Sequence, residues 1–431
     1  MPVSSWLTAV ARCRAEPETP APFFANAPAE AQIHYNDEMP KILFYLPVVT
    51  PWWFDTIVAP MIAKLGTEAE IHVLAPDFWR NTGIGPAQLQ TCASLPDIRW
   101  HIVEGDGHFS LRTRPDDADG LVDFVRSINP DYVFCRSADV STPSAFPGKV
   151  VHLIEAGASP FSTRGGWIIL QRDFWHHGAM PALAEADRAA IEAQFSRLWK
   201  RFRNRMEHKG PFRDPRPKAL AGMGLAEDRK IIALPLEYEH EEAFTAFHNR
   251  FERNIDLLHH VAGQLDDRFV LAVTDHPLNY RYVDNSKIYA AIEALGTKAH
   301  LVPNPEGYYY RTTLLIKHCD GLIVQNTKAI YCAAMFGKPV LRLSNRPTAD
   351  WLGAHQDMRP FLDEVASGRG GVSEEQARLW FGYHIMHEII DPAAISGAEI
   401  LDRVDRPFSR DRLASGLERF EAFQRELDKA A

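Results

Sequence analysis

Gly321–Leu343 reads GLIVQNTKAIYCAAMFGKPVLRL. An apolar run of strand length, Gly321–Val324, stops at the polar turn Gln325–Lys328, and a helix-length pattern, Thr327–Phe336, follows. Gly337, Lys338 and Pro339 end that helix, and a second apolar run, Pro339–Leu343, begins at once. Strand, helix and strand in succession predict a β-α-β unit whose strands lie parallel. Ala333 and Ala334 keep the helix surface small enough to pack closely on the sheet.

The same alternation extends in both directions. Upstream stand strands at Lys230–Leu234, Phe269–Thr274 and Ala299–Val302, with helices at Arg250–Leu265, Ser286–Leu295 and Arg311–His318. An earlier series opens with the apolar run Lys41–Val49 and a helical pattern at Trp52–Leu65. It continues through strands Glu70–Leu74, Ile98–Val103, Tyr132–Cys135 and Val150–Ile154 and a helix at Ala118–Ile128. Near-continuous apolar strands separated by helices imply parallel sheets covered on both faces. A long amphipathic helix, Leu183–Phe202, leads into KGPFRDPRPK at Lys209–Lys218, whose prolines, glycine and charges read as a linker. The fold class expected is α/β: two Rossmann-like domains, 39–210 and 219–395, after an N-terminal extension at 1–38 and before a helical tail at 396–431. The last hundred residues read as mostly helical, at Phe361–Val365, Glu374–Ile389 and Arg412–Leu427.

A chain of 431 residues suits two domains rather than one core. The formal charge of −9 lacks the basic bias that phosphate-backbone binding favours, so nucleic acid is not an expected partner. One stretch, from Arg197 through Lys200, Arg201, Arg203, Arg205 and Lys209 to Lys218, runs against that balance. It reads either as a solvated helix face with a basic linker or as a contact for anionic head groups or an anionic acceptor. Cys13, Cys92, Cys135, Cys319 and Cys332 show no C-x-x-C pairing, which points to a reducing, cytoplasmic setting. Met1–Glu30 lacks the hydrophobic core of a signal peptide, and no window reaches the roughly 20 apolar residues of a spanning helix. Any contact with the inner membrane is expected to be peripheral.

Ligands of open parallel sheets bind beyond the carboxyl ends of the strands. Three strand ends carry suitable chemistry. After FVLAVT come Asp275, His276 and Pro277, where the proline biases His276 toward an extended backbone that projects its imidazole. After GLIV come Gln325, Asn326, Thr327 and Lys328, a helix start whose backbone N–H groups suit a phosphate. After VVHLI come Glu155, Ala156 and Gly157, where a carboxylate suits a general base or nucleophile. Each also has a plain reading, as a turn histidine, an ordinary helix cap and a loop carboxylate.

Together TDHPLNY (Thr274–Tyr280), VQNTKAIYCAAMFGKPVLRL (Val324–Leu343) and HLIEAGASPF (His152–Phe161) resemble the bacterial capsule polysaccharide synthesis family. That family includes Kdo transferases of the GT-B architecture, which implies that the first domain is the acceptor side, that the second binds the nucleotide sugar and that the helical tail packs back toward the first domain. The resemblance implies that His276 and Pro277, with Gln325, Asn326, Thr327 and Lys328, hold the CMP part of a CMP-activated sugar donor. It implies that Glu155, with Gly157 in the substrate site, supplies the catalytic carboxylate and that His276 assists departure of the phosphate; the His276 and Thr327 turns are expected to lie side by side and line one anion pocket that opens toward Glu155. Ala156 stands where the family often has a second acid, and Asn326 where it has serine. The expected reaction is transfer of Kdo or a related ulosonic acid to a saccharide or glycolipid acceptor, with no cofactor beyond the nucleotide-sugar co-substrate. A UDP-sugar transferase, a sugar-nucleotide epimerase and a non-catalytic carbohydrate-binding scaffold stay open as alternatives.

Other patterns point to structure. Asp117 and Asp119 spell D-x-D but open a helix, where carboxylates cap, so no metal is expected. His384, His387 and Glu388 lack the i, i+4 histidines of a zincin. The pairs His176–His177 and His259–His260 suggest no ligand set. Trp52 and Trp53, after the first strand, are expected to line the acceptor side; they and Tyr308–Tyr310 also suit plain core packing.

Overall fold

The computed structural model describes residues 39–95, 98–105, 107–172, 177–240, 243, 248–303 and 310–430. The N-terminal extension, Cys13, His176, Tyr308 and Tyr309 lie outside the described residues. Two compact units emerge. One comprises Met1–Ile154, Leu170–Phe174 and Asp391–Asp405; the other comprises Glu155–Ile169, Trp175–Ile390 and Arg406–Ala431.

The first sheet holds β1 (Lys41–Tyr45), β2 (Glu70–Pro76), β3 (Ile98–Val103), β4 (Tyr132–Cys135), β5 (Lys149–Glu155) and β6 (Ile168–Gln171), in the order β3-β2-β1-β4-β5-β6. The pairs β1–β2, β2–β3, β1–β4 and β4–β5 are parallel. Its strands are apolar on both faces because helices cover both, as at Leu43, Phe44, Val73 and Val133, all fully buried. The helical run α1 at 51–65 starts at Thr50, whose hydroxyl accepts from the Trp53 N–H at 3.3 Å. Helix α2 (Ala118–Ile128) is capped by Asp117, whose Oδ1 accepts from the Gly120 N–H at 2.8 Å. That is the structural role expected of the D-x-D spelling.

The second sheet holds β7 (Lys230–Pro235), β8 (Phe269–Thr274), β9 (Ala299–Leu301), β10 (Gly321–Val324) and β11 (Val340–Arg342), in the order β11-β10-β7-β8-β9, all parallel. Both orders are doubly wound. The strand sequence reverses between β1 and β4 in the first sheet and between β7 and β10 in the second, the positions where such folds hold ligands.

The chain enters the second unit at Glu155 rather than at the proline-rich linker. Helix α3 (Glu185–His208) belongs to that unit because its apolar face is buried there. Phe195 and Trp199 lie 6.2 Å apart, and Trp199 and Phe381 lie 5.7 Å apart. Helices α4 (Ala329–Phe336) and α5 (Glu374–Tyr383) pack in the same core. The tail divides. Helix α6 (Gly397–Asp405) packs on α1, a Cβ at Gly397 falling 2.5 Å from the Lys64 carbonyl. Helix α7 (Asp411–Ala430) instead returns to the second unit. The basic face of α3 meets α7 there: Arg201 bonds Glu421 at 3.3 Å and Arg205 bonds Asp428 at 2.7 Å. Part of the positive stretch is therefore engaged within the fold. No helix among the described residues is long and apolar enough to cross a membrane.

Candidate functional site

In the second sheet the carboxyl ends of β10, β7 and β8 are consecutive. The Asn326–Thr327 turn and the His276 turn are therefore separated by one strand, β7, which puts them on the order of 10 Å apart at about 4.8 Å per strand. The residue that joins them is Glu237, just past β7. Its Oε1 accepts the backbone N–H groups of Asn326 at 2.8 Å and Thr327 at 3.1 Å. The donors expected to be open to a phosphate are thus already bonded to the chain's own carboxylate. Burial pushes the Glu237 carboxyl up from its ordinary range, against the backbone N–H bonds that pull it down. On its other side, the Glu237 carbonyl accepts from Asn254 Nδ2 at 2.9 Å and Asn279 Nδ2 at 3.0 Å.

The His276 turn hangs from the same network. Asp275, buried at the end of β8, accepts through Oδ1 from the His276 N–H at 2.7 Å and Asn279 Nδ2 at 2.8 Å. Through Oδ2 it accepts from Asn285 Nδ2 at 2.9 Å and the Tyr289 hydroxyl at 2.6 Å. The imidazole of His276 is half-buried and accepts the Leu278 N–H on Nδ1 at 3.2 Å. That bond leaves the hydrogen of the neutral ring on Nε2. Burial lowers the His276 pKa, and Asp275 only partly offsets it, so the ring is a neutral donor at pH 7. Pro277 is exposed beside it, and the Tyr238 ring centroid lies 5.5 Å from the imidazole.

Beyond β10 the side chains divide by role. Gln325 is buried and its amide is spent on the Phe251 backbone, accepting at 2.9 Å and donating at 3.0 Å. Asn326 Oδ1 accepts from Arg342 Nη2 at 3.1 Å and the Ser344 hydroxyl at 2.7 Å, and its amide bonds Asn249. Arg342, buried on β11, also donates to the carbonyls of Gln325, Arg346 and Pro347 at 3.0, 3.0 and 2.7 Å. Burial lowers its pKa to about 10, so it keeps its charge at pH 7. Thr327 Oγ1 accepts the Ala329 N–H at 3.3 Å.

Lys328 reaches the expected carboxylate. Its Nζ donates to the Glu155 carbonyl at 3.2 Å and stands 3.7 Å from Glu155 Oε2, with both side chains part-exposed. Gly157 makes this possible, since a Cβ there would stand 2.3 Å from Lys328 Cδ. Glu155 is itself the last residue of β5, not the first beyond it. His384, in a π-turn after α5, completes the cluster: its ring bonds the Gly157 backbone, and burial lowers its pKa to about 4. The second unit therefore gathers Glu155, Gly157, Thr327 and Lys328, and Glu237 links them to the His276 turn.

In the first unit Trp52 is 48% exposed, while Trp53 is 6% exposed beneath the Arg136 guanidinium, which lies 4.1 Å from its ring. The two tryptophans therefore have different surroundings at the β1–β4 switch. Tyr310 packs edge-on to Phe212 at 6.0 Å. His177 stacks on Tyr331 at 5.9 Å, and His260 meets Phe251 at 4.6 Å. His387 accepts the Ser409 N–H at 2.9 Å and contacts Glu388 at 3.2 Å. No cluster of three or more histidine, cysteine, aspartate or glutamate side chains that could hold a metal occurs among the described residues.

No protein-family model matches the chain, and no curated protein matches it. Several solved structures are similar. A beta Kdo 2,4 transferase from Thermosulfurimonas dismutans shares 10% identity over 86% of this chain and 99% of its own, with a TM-score of 0.42. A lipopolysaccharide outer core galactosyltransferase shares 11% over 85% and 99%, with a TM-score of 0.34. A UDP-GlcNAc 2-epimerase from Neisseria meningitidis shares 15% over 85% and 99%, with a TM-score of 0.24. Likenesses of this size fix neither family nor activity; the doubly wound architecture rests on the two strand orders.

Proposed function

We propose that the protein is a glycosyltransferase of GT-B type that takes a nucleotide-activated sugar, a CMP-activated ulosonic acid such as Kdo, and transfers it to a saccharide or glycolipid acceptor. The observation that carries this reading is the grouping of Glu155 and Lys328, 3.7 Å apart, at one edge of a row of strand ends that also holds Thr327 and His276. Breaking the sugar–phosphate bond leaves negative charge on the departing nucleotide and oxocarbenium character on the sugar. In this reading Lys328 neutralises the phosphate, and the Thr327 hydroxyl and the Nε2–H of His276 donate to its oxygens. His276 acts as a neutral hydrogen-bond donor and not as an imidazolium acid, which follows from its lowered pKa. Glu155 accepts the acceptor's hydroxyl proton as the new glycosidic bond forms. Gln325 and Asn326 hold the turn in place without touching the donor, and Pro277 sets the His276 backbone.

The test is direct. Thermal shifts with CMP, UDP and GDP identify the nucleotide, because a ligand bound only by the folded state raises the melting point. Nucleotide release from a panel of sugar nucleotides then reads turnover. Lys328→Ala is expected to abolish the CMP shift, and Glu155→Gln to keep it while lowering release at least about 100-fold, in line with loss of a general base. A UDP shift without a CMP shift moves the donor to the UDP-sugars. Release from no sugar nucleotide ends the transferase reading.

A further inference from the structure

Beyond β2 the chain reverses at Arg80 and Asn81. Trp79 and Thr82 exchange backbone hydrogen bonds at 2.8 and 2.9 Å, and the two residues between them stand at φ 44° and 62°. Asparagine–glycine or glycine–glycine makes such a turn readily, whereas arginine carries a Cβ into a region that side chains avoid.

The strained turn is fixed from beneath. Arg112, 0% exposed, donates from Nε to Thr82 Oγ1 at 3.1 Å and from Nη2 to the Asp77 carbonyl at 2.7 Å, and lies 5.5 Å from the Trp79 ring. The Gly83 N–H bonds the Val49 carbonyl at 2.7 Å, tying the turn to the segment that leads from β1 to Trp52. A Cβ at Gly83, whose φ is 89°, would fall 2.2 Å from the Asp77 carbonyl oxygen.

What this support presents to solvent is a particular set of groups. Phe78 is 48% exposed, and Asp77, Arg80 and Asn81 are exposed beside it. The Arg80 guanidinium lies 4.8 Å from the Trp79 ring, which orients it. An aromatic face takes the C–H face of a pyranose, and carboxylate, guanidinium and amide groups bond its hydroxyls; Asp77 Oδ1 already accepts the Phe78 N–H at 2.7 Å, so Oδ2 is the oxygen it turns to a ligand. The mixture of one acidic and one basic group does not favour a polyanion. A glycine at position 80 would relieve the strain; with arginine there, the strained turn displays a guanidinium set against Trp79.

We infer that the hairpin Asp77–Asn81 is a saccharide-binding site of the first unit, with the sugar ring on Phe78 and its hydroxyls on Asp77, Arg80 and Asn81. It rests on the transferase reading only in supposing that the acceptor sugar is what it holds.

The experiment titrates the full chain with neutral, N-acetylated and uronic- or ulosonic-acid-containing tri- and tetrasaccharides, read by saturation-transfer NMR and calorimetry. At least one is expected to bind saturably at millimolar concentration or below, and Phe78→Ser and Arg80→Gly to weaken it tenfold or more with the nucleotide thermal shift unchanged. Arg80→Gly is also expected to raise the melting temperature, because the strain is gone, so binding and stability move in opposite directions. Saccharide binding unaltered in both variants, or no saturable saccharide in the panel, overturns the inference. Saccharide binding without any nucleotide shift leaves this site standing and removes the transferase reading.

Discussion

Glu237 places a carboxylate against two backbone N–H groups that would otherwise meet solvent or a ligand, and it does so from a partly buried position. Removing it strands both donors. Glu237→Ala is expected to cost about 1–3 kcal/mol in urea denaturation, the range for a buried donor left unsatisfied, and Glu237→Gln distinctly less because one acceptor oxygen remains. Gly157 gives the complementary test. Its substitution by alanine collides with the flexible Lys328 chain and not with backbone, so stability is expected to change by less than about 1 kcal/mol. Nucleotide affinity, read by the CMP thermal shift, is expected to fall at least tenfold because Lys328 is displaced. An equal loss of both would make Gly157 a packing residue. These residues also mark where local sequence reading stops. Glu155, Gly157 and Lys328 were legible because each lies at or next to a strand end. Glu237 lies at one too, yet nothing in LPLEYEH says that its partners stand 89 and 90 residues away. Arg342 was the readable clue to that network: an arginine inside the apolar strand PVLRL has to find several acceptors.

Among elements, strands were the easiest to read, because near-continuous apolar runs between helices leave little choice of class. The run Gly321–Val324 is β10 residue for residue. Helix α4, by contrast, begins at Ala329 and not Thr327: Lys328 is its cap residue, and Thr327 stays in the turn before it with its hydroxyl accepting the Ala329 N–H. Assigning α3 to a unit was not possible from its own pattern. Its apolar face is satisfied by α5 and α7, from the far end of the chain, and pairing at that separation leaves no local trace. The approach of α7 is close enough to test. A Cβ on Gly416 would stand 1.7 Å from the Met386 carbonyl oxygen in the π-turn His384–Glu388, and backbone cannot step aside as a side chain can. Gly416→Ala is expected to destabilise the second unit by at least about 1–3 kcal/mol, the usual cost of overpacking. Chemical denaturation followed by tryptophan fluorescence measures it; an unchanged midpoint would mean that α7 is not packed as described.

At the scale of the whole molecule, buried histidines decide the response to acid. Burial lowers His101, His318 and His384 from the ordinary value to about 4, with His72 adding to the effect at His101 and Lys317 at His318. Between about pH 6.5 and 4 the unfolded chain binds protons at these rings and the folded chain does not, so stability rises with pH across that window and is lost as pH falls. The three shifts are alike in size, so the three rings share the effect. Glu388 acts in the same direction: burial would raise its carboxyl, but the bonds from His387 and Tyr383 outweigh it and hold it low. Glu237 acts in the opposite direction, because a raised carboxyl binds a proton in the folded state before the unfolded chain does. One such carboxyl cannot cancel three histidines. Urea midpoints measured from pH 7.5 to 4 are therefore expected to fall steadily, and His384→Phe, which keeps a ring against Trp380, is expected to flatten that fall. A flat profile in the parent protein would mean that these rings titrate alike in both states, and the burial that places His384 against Gly157 would then be wrong.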